Sequence, residues 1–400
     1  MAQAPELARP AKRPRLFFVD YLRGWAVVVM VLAHFWPALI RPQMLAAPWG
    51  QAADFAFQFA PALFFGVVGA SVAFSLGSGG NAAKRRTLLL RGSLVLLAGL
   101  PWNVMLQDPF EFDFLPFIGL SMVVCGWVAA TRSLSAACAA LMLACWLVLA
   151  LQWHQVPAGY AWPEAHGPAC LLLSAVMPSG GFPIQGWLPV SLLGLAFGGR
   201  LVRGGISGVL RWLEPATIGA VLVAAALVAR STGSPFVKFP VTLSYAVLSC
   251  GVFSLAWAAC ALLEGVVARA PLAGAFANLG RFALPATAIH WLVGRSLASR
   301  LGLAHHLGLP QFVAFTLATL VGLVLLYRPW MRLVERWQQC NAAILATTPA
   351  IVALALLLYA VGFAALVVAF PLHAIVSATV SCASILVLCV PLYWRPAPPR

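Results

Sequence analysis

Acidic residues are scarce in this 400-residue sequence, which has 10 Asp and Glu against 25 Lys and Arg. Charged residues of both signs make up only 9% of the chain, whereas hydrophobic residues make up 62%. This composition excludes a soluble secreted protein, a disordered chain and a fibrous repeat. Uncharged stretches of about 20 residues are what a membrane-crossing helix needs. We therefore predict an integral membrane protein.

Several common functional signatures are also missing. The nine cysteines form no CxxC pair, and most lie inside apolar runs, where cysteine packs as a small hydrophobe. Glycine-rich phosphate-binding loops are absent. His305 and His306 are adjacent but have no third ligand at a suitable spacing, so we predict no metal site. No small-residue cleavage site follows the first apolar run, which favours a retained helix over a signal peptide.

Apolar runs bounded by proline, glycine or charge give about twelve candidate membrane spans. We place them at residues 17–40, 54–76, 87–106, 114–130, 134–151, 184–202, 213–231, 241–263, 275–297, 311–327, 349–370 and 374–394. A cytoplasmic N-terminus leaves few basic residues outside: Arg41, Arg230, Lys238, Arg295 and Arg300. The positive-inside rule therefore predicts an all-α polytopic protein with both termini in the cytoplasm. This topology, and not nucleic-acid binding, accounts for the net charge of +15.

Ionisable side chains inside the spans are the most informative residues, because each is costly in hydrocarbon and must face a partner or a cavity. The first span carries Asp20, Arg23 and His34. Asp20 and Arg23 are three residues apart and can pair on one face. His34 follows eleven residues later, on nearly the same face and about 16 Å along the axis. Alternatively, Asp20 and Arg23 form an ion pair at the membrane interface, and His34 packs in an aromatic belt without a functional role.

Two other spans carry buried cations. Arg91 lies well inside the third span, and Arg281 lies at the start of the ninth, which reads LGRFALPATAIHWLVGR and continues through Pro285 to His290. Pro285 is expected to kink this helix. If the helices are neighbours, the arginines form a phosphate site and the histidines act as bases. Positive-inside topology alone also places arginines at these depths.

Five segments resemble a known group. The first span, RLFFVDYLRGWAVVVMVLAH (15–34), resembles the opening D-x-x-R-G motif of the acyltransferase transmembrane superfamily, and its Arg-to-His spacing is similar to that of acyltransferase-3 enzymes. Four more segments resemble the heparan-alpha-glucosaminide N-acetyltransferase catalytic-domain family: ADFAFQFAPALFFGVVGASVAFS (53–75), GFPIQGWLPVSLLGLAFGGRL (181–201), KFPVTLSYAVLSCG (238–251) and LGRFALPATAIH (279–290). The resemblance extends over residues 15–340.

The resemblance implies a membrane enzyme that passes an acyl group, usually acetyl from acetyl-CoA or another acyl-CoA, to a sugar or glycan on the far side. The candidate catalytic residues are His34, His290 and Asp54, and the candidate donor-binding residues are Arg23, Arg91, Arg281, Asp20 and Asn103. The alternatives are a transporter or flippase of an acyl or glycan intermediate and a non-catalytic relative. Twelve spans suit a transporter, although the sequence has no matching halves.

The expected organisation has three parts. Residues 1–16 form a basic cytoplasmic tail, residues 17–340 form the acyltransferase-like transmembrane domain, and residues 341–400 add two helices and a short tail. We expect a multi-pass protein of the inner (plasma) membrane. Its expected partners are the lipid bilayer and a glycan acceptor, with no nucleic acid, and the resemblance implies a possible homodimer.

Overall fold

The structure, a computed structural model, describes residues 17–77, 82–105, 111–155, 172, 174–177, 181–204, 208–347 and 361. Nearly all of these residues are helical, and the described part contains no strand, only an isolated bridge between Ile40 and Leu307. The helices are α1 (Phe17–Leu39), α2 (Pro42–Ala46), α3 (Pro48–Phe57), α4 (Ala60–Leu76), α5 (Ala82–Met105), α6 (Phe114–Val128), α7 (Leu134–Gln155), α8 (Ile184–Val202), α9 (Leu210–Ser231), α10 (Leu243–Leu262), α11 (Glu264–Val267), α12 (Ala273–Arg281), α13 (Ala283–Trp291), α14 (Ala298–Arg300) and α15 (Leu309–Thr347). A π-helical segment, Leu292–Leu297, joins α13 to α14.

Six helical stretches among the described residues are long and apolar enough to cross a membrane: Phe17–Leu39, Pro48–Leu76, Leu134–Trp153, Leu210–Ser231, Leu243–Leu262 and Leu309–Arg336. The prediction of a helical, multi-pass membrane protein is therefore confirmed. The count of twelve spans and the cytoplasmic termini stay predictions. The predicted spans 349–370 and 374–394 and the basic tail 1–16 lie outside the described residues, apart from position 361.

The six stretches differ in how deeply they are buried. Within the most apolar 18 residues of each stretch, 78% are buried for Pro48–Leu76, whereas 17% are buried for Leu210–Ser231 and for Leu309–Arg336. The large hydrophobic side chains that these outer helices expose are leucines and valines, which suits contact with lipid tails. The central helices, shielded from lipid by their neighbours, are the ones that can carry polar groups.

Two predicted spans are discontinuous in the structure. The predicted span 54–76 is divided into α3 and α4, with the break at Gln58 and Phe59. The predicted span 275–297 is broken at Phe282, three residues before the expected kink at Pro285. Proline lacks the backbone N–H that an interior helical residue donates. In the first turn of a helix the N–H groups have no acceptor within the helix, so a proline there loses no hydrogen bond. The restart after Phe282 places Pro285 in the first turn of α13.

The close approach of α1 to α12 explains how charged residues of distant sequence come together. A Cβ atom on Gly24 would clash with the carbonyl oxygen of Phe276, and one on Gly280 would clash with the carbonyl oxygen of Asp20. The two helices therefore touch backbone to backbone, at positions that only glycine permits. This contact brings Arg281, at the end of α12, beside Asp20.

Candidate active site

A cavity of about 300 Å³ extends between α1, α4, α5, α6 and the α12–α13 pair. We call it the arginine cavity, because it is lined by Arg23, Arg91 and Arg281. The remaining lining residues are mostly apolar: Phe64, Val67, Val68, Ser71, Val72, Ser75, Leu88, Val95, Phe114, Ile118, Met122, Gly280, Ala283, Leu284 and Thr287. The α4 residues among them run from Phe64 to Ser75, eleven residue steps and a rise of about 16 Å. The cavity is therefore a long, narrow slot parallel to the helices.

Two of the three arginine side chains, those of Arg23 and Arg281, are held by polar contacts at one end of this slot. Asp20 is buried and bridges two of them, with Oδ1 3.4 Å from Arg23 Nη1 and Oδ2 3.3 Å from Arg281 Nε. Arg23 Nη2 donates to Ser71 Oγ at 2.5 Å. Three guanidinium groups and one carboxylate leave two net positive charges. Guanidinium groups bind phosphate oxygens in a fork geometry, so this end of the cavity suits a diphosphate.

His34 and His290 come together from α1 and α13 and form what we call the histidine pair. His34 Nδ1 lies 2.8 Å from His290 Nε2, and His290 Nδ1 lies 2.9 Å from the carbonyl oxygen of Ala286. A carbonyl only accepts, so His290 Nδ1 carries the proton and, in a neutral pair, His290 Nε2 accepts from His34 Nδ1. The lone pair of His34 Nε2 is then left for another group, which is the arrangement a general base needs.

The two rings of the pair differ in access. His290 is fully buried, whereas His34 is partly exposed. The His34 ring lies edge-on to Trp291, with centroids 4.8 Å apart, and the buried Phe35 lies beside His290. His34 is therefore the more accessible ring, and the hydrogen bond between its Nδ1 and His290 Nε2 fixes its tautomer.

The arginine cavity and the histidine pair lie along the same helices. Arg23 on α1 contacts Ser71 on α4. Met30 lies seven residues after Arg23, and the lining residue Phe64 lies seven residues before Ser71. Both are therefore about 10 Å further along the helix axes from this contact. Met30 Sδ is 3.5 Å from Oγ1 of Thr287, which also lines the cavity. Met30 is one helical turn before His34, and Thr287 is one turn before His290. The slot therefore ends about one turn from the histidine pair.

The structure places the other predicted site residues apart from the cavity. Asn103 is fully buried, and its Nδ2 donates to the carbonyl oxygen of Glu111. Asp54, on α3, accepts a hydrogen bond from Gln58 Nε2 at 2.9 Å. Neither side chain lines the arginine cavity. Asp20 holds the arginines by direct ion pairs, and this contact makes it a positioning residue for them.

Sequence reasoning missed a second charged group, centred on Lys238. The charge of this lysine interacts with Asp113, Asp54 and the His34 ring. Asp113 Oδ2 accepts from Trp102 Nε1 at 2.8 Å, and the Trp102 ring lies 5.7 Å from that of Trp291, the residue packed on His34. The available signal was topological, because Lys238 is one of the few basic residues that the positive-inside rule leaves outside.

Burial changes the proton affinity of this lysine, which lies between α9 and α10. Desolvation lowers the pKa of Lys238 to about 8, although the carboxylates of Asp113 and Asp54 act in the opposite direction. Burial also raises the pKa of Asp113, against the Trp102 hydrogen bond and the Lys238 charge. The lowered pKa means that Lys238 begins to lose its proton at mildly alkaline pH.

We expect Lys238 to be modified by reductive methylation with half-maximal yield near pH 8, because only the neutral amine reacts. Mass spectrometry of peptides from protein treated between pH 6 and pH 11 measures this midpoint. In Asp113→Asn the midpoint should move to lower pH, since a carboxylate that favours the charged amine has been removed. A midpoint above pH 10 would show that the amine is fully hydrated.

Among the described residues, the cysteines are free thiols and the potential metal ligands are not grouped. Cys125, Cys138, Cys145 and Cys250 are buried free thiols, and Cys260 is partly buried. Within the described ranges, no three His, Cys, Asp or Glu side chains are grouped so as to hold a metal ion.

Comparison with known proteins agrees with the resemblance of the sequence. The family model described as heparan-alpha-glucosaminide N-acetyltransferase, catalytic, matches residues 15–234. No curated protein matches the chain. The matched segment contains Arg23, His34 and Arg91, while Arg281 and His290 lie beyond it. Since the match extends over more than half of the 400 residues, the chain belongs to the heparan-alpha-glucosaminide N-acetyltransferase catalytic family, a family of membrane acetyltransferases.

Proposed function

We propose that this protein transfers an acetyl group from acetyl-CoA, or a related acyl-CoA, to a hydroxyl or amine of a sugar or glycan. The donor enters from the cytoplasm and the acceptor binds on the opposite face of a plasma membrane. Family membership supports the reaction class. The positive-inside pattern supports the direction, because the arginine cavity lies at the end of the helices that this rule assigns to the cytoplasm.

One observation carries the proposal: the arginine cavity ends about one helical turn from the histidine pair. CoA is a diphosphate with a long, thin arm that ends in the thioester. The arginine end suits the diphosphate, and the apolar wall that includes Val67, Val68 and Val95 suits the arm. A donor held in this way would direct its thioester towards His34.

The reaction then needs one proton acceptor that later becomes a donor. His34 Nε2 takes the proton from the acceptor hydroxyl or amine as the oxygen or nitrogen attacks the thioester carbonyl. A C–O or C–N bond forms and the C–S bond breaks. The thiolate of CoA receives the proton from the His34 imidazolium, so that the acetylated acceptor and CoA are released.

His290 supports this cycle without contacting the acceptor. Its Nδ1–H is fixed by the Ala286 carbonyl, so its Nε2 lone pair accepts from His34 Nδ1–H both before and after His34 takes up a proton. This keeps the basic nitrogen of His34 directed away from His290. Holding donor and acceptor on one base supplies a large part of the rate acceleration by proximity.

The test is a transfer assay with purified protein in lipid nanodiscs, acetyl-labelled acetyl-CoA and a panel of amino sugars and neutral oligosaccharides. We expect label in an acceptor together with stoichiometric release of CoA. Label retained on a protein histidine without an acceptor would indicate an acetyl-histidine intermediate and a two-step version of the same function. Failure to bind CoA, with no transfer to any acceptor, would contradict the proposal and return attention to a transport role.

A further inference from the structure

The basic segment Lys84-Arg85-Arg86 opens α5 at the arginine end of the bundle. Arg85 Cζ lies 4.3 Å from the centre of the Trp127 ring, so this guanidinium packs on α6. Lys84 and Arg86 are both exposed. The three residues carry the same charge and occupy the same turn, and positive-inside topology treats them alike. Their directions around the helix nevertheless differ.

The cavity residues on α5 define which face of the helix is turned to the slot. Leu88, Arg91 and Val95 line the arginine cavity. At 100° per residue, these three residues lie within about 40° of the direction of Lys84 around the helix axis. Arg86 lies about 140° or more from Lys84 and from all three lining residues, so it is on the opposite face. Lys84 therefore continues the row of lining residues by one further turn towards solvent.

Lys84 also lies beyond the last lining residues at this end of the cavity. Ser75, in the last turn of α4, and Leu88, in the second turn of α5, are the lining residues nearest in sequence to residues 78–81, which connect these helices. Lys84 lies one turn beyond Leu88 on the same face, and seven residues, or about 10 Å of helix, from Arg91. An ammonium on a flexible stem at this position can meet an anionic group that stays outside the slot.

We infer that Lys84 binds the 3′-phosphate on the ribose of CoA and makes the protein selective for 3′-phosphorylated donors. The inference rests on the proposed function, because it takes the diphosphate to be bound by Arg23, Arg91 and Arg281. The ribose then follows the diphosphate out of the slot, and its 3′-phosphate is the next anionic group along the donor. Lys84 is the basic residue of α5 that lies on this path.

The experiment measures equilibrium binding of CoA and of dephospho-CoA, which lacks the 3′-phosphate, to the full-length protein in detergent. The wild-type protein should bind CoA about tenfold more tightly than dephospho-CoA, as expected for one charge-assisted contact. Lys84→Gln should weaken CoA binding to the level of dephospho-CoA and leave dephospho-CoA unchanged. Lys84→Arg should retain most of the preference.

The matched control is Arg86→Gln, which removes the same charge from the same turn on the opposite face. It should leave both affinities unchanged. Equal loss of CoA binding in Lys84→Gln and Arg86→Gln would overturn the inference in favour of a general electrostatic effect. Equal binding of CoA and dephospho-CoA by the wild type would overturn it while sparing the proposed function. Absence of binding of either nucleotide would contradict both.

Discussion

Replacement of His34 by alanine is expected to reduce acetyl transfer by about 100-fold or more, with little change in the affinity for CoA. The size follows from the loss of a general base, which typically contributes about 10²- to 10⁴-fold. The affinity should persist because His34 does not line the cavity and lies past the end opposite the arginines. The measurements are initial rates of transfer with labelled acetyl-CoA and equilibrium binding of CoA to the same preparation.

The matched control is His306→Ala, which removes an exposed histidine from the loop before α15. It should transfer acetyl at the wild-type rate. His290→Ala tests the second ring, and its rate should fall less than that of His34→Ala, since the base remains but its tautomer is no longer fixed. Wild-type transfer by His34→Ala would remove His34 from the chemistry.

Replacement of Arg23 by glutamine is expected to weaken CoA binding by about 10- to 100-fold, the effect of losing one hydrogen-bonded charge. Arg23 is fixed in the cavity by contacts with both Asp20 and Ser71. The rate at saturating donor should change less than the donor affinity, because His34 is untouched. Donor titrations that separate kcat from KM measure the two effects.

Arg132→Gln is the control for this variant. Arg132 is exposed, and its backbone carbonyl accepts from Arg203 Nη1. Removal of its charge should leave the donor KM unchanged. If Arg23→Gln and Arg132→Gln raised KM equally, the arginines would act only through the overall field of the membrane surface. Unchanged donor affinity in Arg23→Gln would contradict the proposed donor site.

The sequence predicted the first helix well, and the physical reason is its regular geometry. The three-residue separation of Asp20 and Arg23 brought them within 3.4 Å, as the helical period requires. Because ionisable groups in a membrane helix must face partners, Arg91 and Arg281 could be proposed as neighbours of Arg23 before the helix contacts were known. The roles of these residues in catalysis and donor binding stay predictions.

Three features were not predicted, because they depend on tertiary contacts and the spacing of residues along one sequence does not show such contacts. The hydrogen bond between His34 and His290 requires that α1 and α13 meet. The close glycine contacts that bring this part of the chain to α1 lie between α1 and α12, and helical spacing does not predict which helices become neighbours. The break at Phe282 reflects the accommodation of Pro285 in a first turn. The Lys238 group was missed because Lys238 and Asp113 lie in connections between helices and Asp54 lies on α3, so no single helical spacing relates the three residues.

The central claim is that the arginine cavity and the histidine pair form one path for the donor. A structure of the full-length protein with CoA bound tests it most directly. The account predicts the diphosphate against Arg23, Arg91 and Arg281 and the thiol beside His34 Nε2. A diphosphate bound elsewhere, or an arm that leads away from His34, would contradict it.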